Sequence, residues 1–365
     1  MKKILFYINI LELGGAERVM TNLANRFSQG EYEVILVTSY AAEKSYETYS
    51  GVKRVVLSGE QLSGRLKKNF YLTHSLRKLI KREQPNVVIS FMAEPNFRAI
   101  LATMFLKNVK TIVSVRNDPA KEYSGKLLDH LAKMFFSFAD GIVVQTKDVM
   151  EWLPSKLRNK AIVLRNQVAD LFFETQGRDD RHGIFTVGRL EKQKNHAMLI
   201  RAFEKIKDET DENLFILGEG SLRGELEQQI EALKLKDRVF LCGTVSNVNE
   251  KIANAALFVL PSDYEGLPNA LMEAMAEGLL CVSTDCPCGG PRELIREGDN
   301  GFLIPVGDED AMAQAISEIF RMEQSQREHI RMAGKETANE FRGTRVFKKW
   351  EQFILQVIQG DFRND

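Results

Sequence analysis

The sequence predicts two consecutive doubly wound α/β domains, on three observations. Short apolar runs alternate with longer amphipathic ones along nearly the whole chain, the mark of repeated βαβ units. The alternation breaks once, over residues 166–182, where a polar stretch containing Gln176-Gly-Arg-Asp-Asp-Arg-His182 reads as an interdomain linker. The chain has 365 residues, 44% of them hydrophobic, enough for each half to bury its own core. The expected domains are residues 1–168 and 169–344, with 345–365 returning to the first.

In the first half, apolar runs place strands at 4–8, 33–38, 52–57, 87–91, 111–115, 141–145 and 161–164. Amphipathic spacing places helices near 16–28, 65–83, 96–106, 122–138 and 146–157. The second half repeats the pattern, with strands at 184–187, 214–217, 239–242, 257–260, 280–283 and 302–304. Its helices are expected near 195–208, 221–234, 247–254, 268–277, 291–297, 309–322 and 325–340. A last amphipathic helix, 345–358, carries Val346, Trp350, Phe353, Ile354 and Val357 on one face and follows a completed domain, so it packs back on the first.

Formal net charge is +0, yet residues 1–168 hold 26 Lys and Arg against 15 Asp and Glu, a net of +11. The remainder, 24 against 35, carries −11, so the two halves are suited to different partners. Cys242, Cys281, Cys286 and Cys288 all lie in the second half. The Cys-Pro-Cys spacing is too tight for a zinc pair and no His cluster accompanies it, so reduced thiols are expected. Lys2-Lys3 before an apolar run superficially resembles a signal peptide. Acids follow at once and no small-residue cleavage site does, so it reads as a buried first strand. No run reaches the ~18 apolar residues of a membrane span. The expected location is the cytoplasm, including attachment to a membrane from one side.

Candidate chemistry concentrates in Glu265-Gly-Leu-Pro-Asn-Ala-Leu-Met-Glu273. Two carboxylates eight apart bracket a strand end, a loop and a helix N-terminus. That terminus offers amide hydrogens and positive dipole to an anion. Carboxylates touching a phosphate would repel it, so they read as acceptors for hydroxyls on either side, which makes the ligand a nucleotide-sugar. Upstream, Gly188-Arg189 and Lys194-Asn195 straddle a strand end and a helix start. Arg189 can fork onto phosphate oxygens and Lys194 adds a point charge; the plain alternative is solvated surface. Gly14-Gly15 in the first βα turn allows close backbone approach or is simply a tight turn. It lacks Gly-x-Gly-x-x-Gly, and the next strand ends in Thr38-Ser39 without an acid, which disfavours a dinucleotide cofactor. Cys242-Gly-Thr-Val-Ser246 ends a strand where open sheets bind ligands, with Val245 a candidate reader of a base. Gly289-Gly290 precedes another helix. Residues 64–82 contain Arg65, Lys67, Lys68, Arg77, Lys78, Lys81 and Arg82 and no acid, interleaved with Leu66, Phe70 and Tyr71. Such a helix suits an anionic leaflet or is an ordinary charged outer face. No nucleic-acid recognition motif accompanies it.

Taken together, Gly14-Gly15-Ala16-Glu17, Gly188-Arg189 with Lys194-Asn195, the Glu265/Glu273 pair and Gly289-Gly290-Pro291 with Glu293 resemble, in the same order, the retaining glycosyltransferases of family 4. The resemblance covers nearly the whole chain and is nearest to bacterial enzymes acting on undecaprenyl-diphosphate-linked sugars. It implies two Rossmann-like domains facing a cleft, the GT-B architecture. It implies a UDP-sugar donor, with an N-acetylhexosamine as the candidate sugar, and a lipid-linked or polysaccharide acceptor. It implies no metal or cofactor, since basic side chains and a helix dipole replace them. Arg189, Lys194 and Glu265 would be catalytic. Gly14, Gly15, Val245, Gly266, Leu267, Pro268, Asn269 and Glu273 would complete the donor site, Glu273 taking the ribose hydroxyls. Many relatives carry a His after the fifth strand; here Ser114-Val-Arg-Asn-Asp-Pro119 puts Arg116 in that place. Arg116, Lys67 and Lys68 are candidate acceptor or phosphate contacts. A non-catalytic nucleotide-sugar binder and a nucleotide-sugar epimerase are the competing readings.

Overall fold

The structure, a computed structural model, describes residues 1–12, 14–58, 63–174 and 180–361. The chain divides into two compact units, Met1–Asn166 with Val346–Asp365, and Gln167–Arg345. Each is built on one parallel sheet.

The first unit holds strands β1 (Lys2–Ile8), β2 (Tyr32–Thr38), β3 (Val52–Val56), β4 (Val87–Phe91), β5 (Lys110–Ser114), β6 (Gly141–Val144) and β7 (Ala161–Val163) in the order β3-β2-β1-β4-β5-β6-β7. The central strands are apolar runs buried on both faces, as a sheet covered by helices on each side requires. β3 is an edge, and its Lys53 and Arg54 face solvent, which blunts pairing with another chain. Strand order reverses between β1 and β4, so the loops after these strands splay apart there.

The terminal helix, Gly343–Gln359, packs its apolar face into this unit's core beside Ile4, Phe27 and Phe91. The Trp350 and Phe91 ring centroids lie 5.9 Å apart. Gly141 opens β6 beneath it: a Cβ there would stand 2.8 Å from Val357 Cγ2 and 3.0 Å from Phe353 Cζ, so only glycine lets the helix seat.

The second unit holds β8 (Ile184–Val187), β9 (Leu214–Leu217), β10 (Val239–Gly243), β11 (Leu257–Leu260), β12 (Leu280–Thr284) and β13 (Phe302–Ile304), ordered β10-β9-β8-β11-β12-β13. The thirteen strands among the described residues thus lie where apolar runs predict them, with ends moved by at most two residues.

Four expectations change. The single helix at 122–138 is two, Pro119–Glu122 and Lys126–Phe136. Asp118 caps the first by accepting from Ala120 N at 2.9 Å, and Gly125 at φ +91° breaks the chain between them. The helix at 146–157 is likewise two, Lys147–Trp152 and Ser155–Arg158, because Pro154 holds Leu153 extended. The described parts of the expected linker, residues 166–174 and 180–182, are held in place. Val168, Phe172 and Phe173 are buried in the second unit, the last two on the helix Leu171–Glu174, and Arg181 donates to Ala253 O at 2.9 Å. Residues 175–179 of that stretch, and Leu13 before the first glycine pair, lie outside the described residues. Finally, the helix Asn269–Ala276 is not amphipathic. Leu271 through Ala276 are all buried, because it packs against β11, β12 and the helices Leu171–Glu174 and Gln324–Asn339.

Candidate active site

In the second unit, chemistry-bearing residues gather at the carboxyl ends of β8, β11 and β12, on either side of the point where strand order reverses. After β8 a short 3-10 turn, Lys192–Lys194, leads to Asn195 at φ +44°, which caps the helix His196–Ile206 by accepting from Met198 N at 3.3 Å. Asn195 Nδ2 also donates to Asp263 Oδ1 at 2.7 Å. Gln193 Nε2 donates to Tyr264 O and Asp263 N donates to Gln193 O, both at 2.9 Å. These bonds tie the loop after β8 to the loop after β11 across some seventy residues of chain.

Glu265 lies within that tie. It is buried, and its Oε1 accepts from Lys194 Nζ at 2.5 Å and from Ser262 Oγ at 2.7 Å. Among the described residues no hydrogen bond reaches Oε2, so one carboxylate oxygen is anchored and the other is available. Thr284 Oγ1 donates to Ser262 O at 2.5 Å, extending the support to β12. The Cys286 thiol is buried nearby; burial and then the Glu265 charge push its pKa up to about 12, so it stays a protonated, inert thiol.

Two glycines set how closely these loops approach. A Cβ on Gly290 would overlap the Gly266 carbonyl oxygen and reach within 2.9 Å of Pro268 Cδ. A Cβ on Gly218, at φ +150°, would overlap the Gly188 carbonyl oxygen. Backbone thus touches backbone from β8 to β9 and from β11 to the loop after β12.

Gly266, Leu267 and Pro268 are buried, and Pro268 precedes the helix Asn269–Ala276 without supplying a side-chain cap to it. Glu273 is the fifth residue of that helix and is buried. Val245 is half-buried against the same apolar cluster. The expected Arg189/Lys194 pair does not act as two like cations. Lys194 is paired with Glu265, whereas the Arg189 side chain is exposed, makes no hydrogen bond or ion pair among the described residues, and acts only through its charge on the nearby Glu191 carboxylate. Gly188 leaves room for Lys194 to lie flat, since a Cβ there would meet its Cγ and Cδ at 3.2 Å.

Sequence reading missed His196, Ser262 and Asp263. His196 is buried at the start of its helix with no hydrogen bond at either ring nitrogen. Burial, then the Lys194 charge, hold its pKa down at about 4, the backbone of Gly188 and Arg189 acting the other way. The unfolded ring takes a proton below about pH 6.5 and the folded one does not. The resulting stabilisation is whole above pH 6.5 and is lost as pH falls through about 4. At pH 5 the deficit is about 2 kcal/mol. Urea unfolding at pH 7 and pH 5 checks this: His196→Leu should lose about 2 kcal/mol less than the parent between the two. An equal loss would mean that the folded ring already carries a proton.

In the first unit, Gly14 precedes the helix Gly15–Ser28, and the Glu17 carboxylate folds back over it, where a Cβ would collide. Lys67 is exposed on the helix Arg65–Glu83, and Lys68 Nζ lies 5.7 Å from the Tyr40 ring centroid. Arg77 is not a surface cation. It donates to the carbonyls of Ala102 and Met104 at 2.8 and 2.9 Å, closing the end of the helix Ala93–Thr103. Arg116 is buried, its guanidinium 4.3 Å from the Phe91 ring centroid, donating to Asn166 Oδ1. It presents no charge at the surface. Burial pushes the neighbouring Glu122 carboxyl up to about 7 against the pull of Arg116.

Two parallel-sheet units, the second with an acid–base pair beside a helix start at one sheet end, have the architecture of the GT-B transferases. Residues 13–168 match the family model "Glycosyltransferase Family 4" and residues 168–337 the model "Glycosyl transferases group 1". The chain is 30% identical over 331 residues to the N-acetylgalactosamine-N,N'-diacetylbacillosaminyl-diphospho-undecaprenol 4-alpha-N-acetylgalactosaminyltransferase of Campylobacter jejuni, covering 87% of this chain and 89% of that one. It is 29% identical over 369 residues, 98% and 99% of the two chains, to that organism's GalNAc-alpha-(1->4)-GalNAc-alpha-(1->3)-diNAcBac-PP-undecaprenol alpha-1,4-N-acetyl-D-galactosaminyltransferase. Its fold matches that of Anabaena HepE, crystallised with UDP and glucose, with a TM-score of 0.82 at 17% identity over 98% and 100% of the chains. The chain belongs to the family 4 glycosyltransferases. Among the described residues no helix is long and apolar enough to cross a membrane.

Proposed function

We propose that this glycosyltransferase moves a sugar from a UDP-sugar to a lipid-linked saccharide with retention of anomeric configuration and without a metal. The observation that carries the reading is the Lys194–Glu265 pair, anchored through one carboxylate oxygen beside the start of the helix Asn269–Ala276, with a second buried acid, Glu273, on that helix.

The diphosphate sits against the helix N-terminus and takes charge-assisted hydrogen bonds from Arg189 and Lys194. Glu265 accepts from donor sugar hydroxyls through Oε2 and Glu273 from the ribose hydroxyls. The bond from the sugar's anomeric carbon to the phosphate oxygen breaks and the bond to the acceptor hydroxyl oxygen forms on the same face. The acceptor proton goes to the departing phosphate, whose growing charge the two cations and the helix dipole stabilise. The C. jejuni relatives are named for lipid-linked acceptors and N-acetylgalactosamine transfer, which supports that acceptor class and an N-acetylhexosamine donor. The UDP in the HepE structure supports the nucleotide. Arg116, turned inward, orders the loop after β5 in this reading, and Lys67 and Lys68 face the acceptor's diphosphate. In this reading a nucleotide-sugar donor and a lipid-linked acceptor together put the enzyme at the cytoplasmic face of a membrane.

A panel of UDP-, GDP- and ADP-sugars in a thermal-shift assay tests the donor. A specific donor at 100 times its Kd adds about 2.7 kcal/mol to stability. The expected result is stabilisation by a UDP-sugar and transfer only when a lipid-linked acceptor is added. Stabilisation without transfer would make the protein a binder, and conversion of the donor without acceptor, followed by proton NMR, would make it an epimerase.

A further inference from the structure

Arg98, on the helix Ala93–Thr103, is 4% exposed, so its guanidinium donors need acceptors inside the protein. Nη2 and Nε donate to Asn69 Oδ1 at 2.7 and 3.1 Å, and Nη2 also donates to Glu94 Oε2 at 2.8 Å. Nη1 donates to Asn9 Oδ1 and, at 3.4 Å, to Ser39 Oγ. Ser39 donates in turn to Asn9 Oδ1 at 3.2 Å and lies 2.7 Å from the buried Tyr7 hydroxyl.

These partners come from segments that leave the carboxyl ends of strands. Asn9 follows β1, Ser39 follows β2, Asn69 lies on the helix after β3, and Glu94 and Arg98 lie on the helix after β4. The group straddles the reversal of strand order between β1 and β4, where an open α/β sheet takes its ligand.

An arginine accepts no hydrogen bond, so it turns both amides the same way. The side-chain oxygens of Asn9 and Asn69 meet the guanidinium, and their NH2 groups are left for other partners. Asn9 Nδ2 uses one hydrogen on Glu94 Oε2 at 3.3 Å and has a second; Asn69 Nδ2 makes no hydrogen bond among the described residues. Both residues are half-buried. The Glu94 carboxylate is likewise held through Oε2. Its Oε1 meets only Arg65, at 3.3 Å, whose side chain is 84% exposed, and the Glu94 side chain is itself 41% exposed. One buried cation thus fixes amide donors beside a carboxylate acceptor. A fully paired buried guanidinium adds little stability over an apolar side chain. What it does supply is a set orientation for the groups around it.

Amide donors beside a carboxylate complement a sugar with an acetamido group. The acetamido carbonyl accepts from the amides, and ring hydroxyls donate to the carboxylate. A phosphate does not suit this spot, since Glu94 would repel it. Its cation stands alongside: Lys68 Nζ lies 5.7 Å from the ring of Tyr40, the residue after Ser39. We propose that Glu94, Asn9 and Asn69, positioned by Arg98, hold the acceptor's terminal sugar and select one that is N-acetylated. The proposal deepens the lipid-linked acceptor reading and rests on it.

Transfer kinetics of the full chain on matched acceptors test it. The donors are UDP-N-acetylgalactosamine and UDP-N-acetylglucosamine. The acceptors are undecaprenyl diphosphate carrying N-acetylgalactosamine or galactose, and N-acetylglucosamine or glucose. The parent should favour the acetamido member of a pair about 30-fold or more in kcat/KM. Asn9→Asp and Asn69→Asp keep an oxygen for Arg98 and replace the amide donor by an acceptor, so each should lower that preference about tenfold. Asn69→Asp carries the comparison by itself if Asn9→Asp does not fold. Glu94→Gln should raise the acceptor KM about tenfold on both members of a pair, with a smaller change in kcat. Equal kcat/KM of the parent within each pair would overturn the proposal. So would variants that melt earlier yet keep the parent's preference, which would make the network a structural support alone. Donor-induced thermal stabilisation, measured on the same preparations, should persist in all three variants. A parent that gained this stabilisation but transferred to none of the four acceptors would sink the lipid-linked reading as well, whereas loss of sugar preference alone bears only on this site.

Discussion

Glu265→Gln is expected to lower sugar transfer about 10²- to 10³-fold, in kcat more than in KM, with the fold intact. The amide keeps an oxygen for Ser262 and Lys194 but removes the charge that balances the ammonium and the stronger acceptor for sugar hydroxyls. Arg189→Ala is the contrasting variant. The exposed Arg189 side chain stands to lose only a solvent-screened attraction to Glu191, so stability should stay within about 0.5 kcal/mol. Transfer should still fall about 10- to 100-fold through lost phosphate contacts. Glu265→Ala is the poorer probe, because it strands a largely buried Lys194 and costs stability as well, about 1–3 kcal/mol after allowance for the partial exposure of that side chain. Steady-state kinetics alongside urea unfolding separates the three. Full transfer in both Glu265→Gln and Arg189→Ala would remove the site assignment.

The contrast between Arg189 and Lys194 marks the limit of what the sequence discloses. Both cations are visible in it, five apart, and the acid-bracketed helix start is visible too, because strand, loop and helix follow one another locally. That Lys194 is neutralised by Glu265 and Arg189 is not depends on an approach between segments seventy residues apart, which no local pattern records. Asp263 and Ser262 escape notice for the same reason; each is an ordinary polar loop residue until Asn195 and Thr284 are brought to it. Buried strands announce themselves as apolar runs, so the sheets are legible. The breaks at Gly125 and Pro154 were readable in composition, but the apolar spacing runs on across them and conceals two separate helices. Gly141 reads as a strand start, and only the terminal helix above it shows why a side chain there is excluded.

Gly290→Ala should have a large effect for a single methyl group. The added Cβ would overlap the Gly266 carbonyl oxygen and crowd Pro268, and neither is a flexible side chain that can swing away. Relief requires the loop after β12 to retreat from the loop after β11. The first of these carries Gly289 and the start of the helix Gly290–Leu294. The second carries Glu265 and the start of the helix Asn269–Ala276. A shift of about 1 Å at that helix start would move the amides proposed to meet the diphosphate out of hydrogen-bonding range, and misplacement of this size costs about 10²-fold. The expected outcome is a loss of about 1–3 kcal/mol in stability together with loss of the thermal shift on adding UDP-sugar. Gly290→Ser should behave alike, since its Cβ occupies the same place. Arg292→Ala, two residues along and exposed with a surface pair to Asp285, should leave both measurements close to the parent. If Gly290→Ala kept its donor-induced stabilisation, the close approach of these two loops would be irrelevant to donor binding, and the helix start could not be what holds the phosphates.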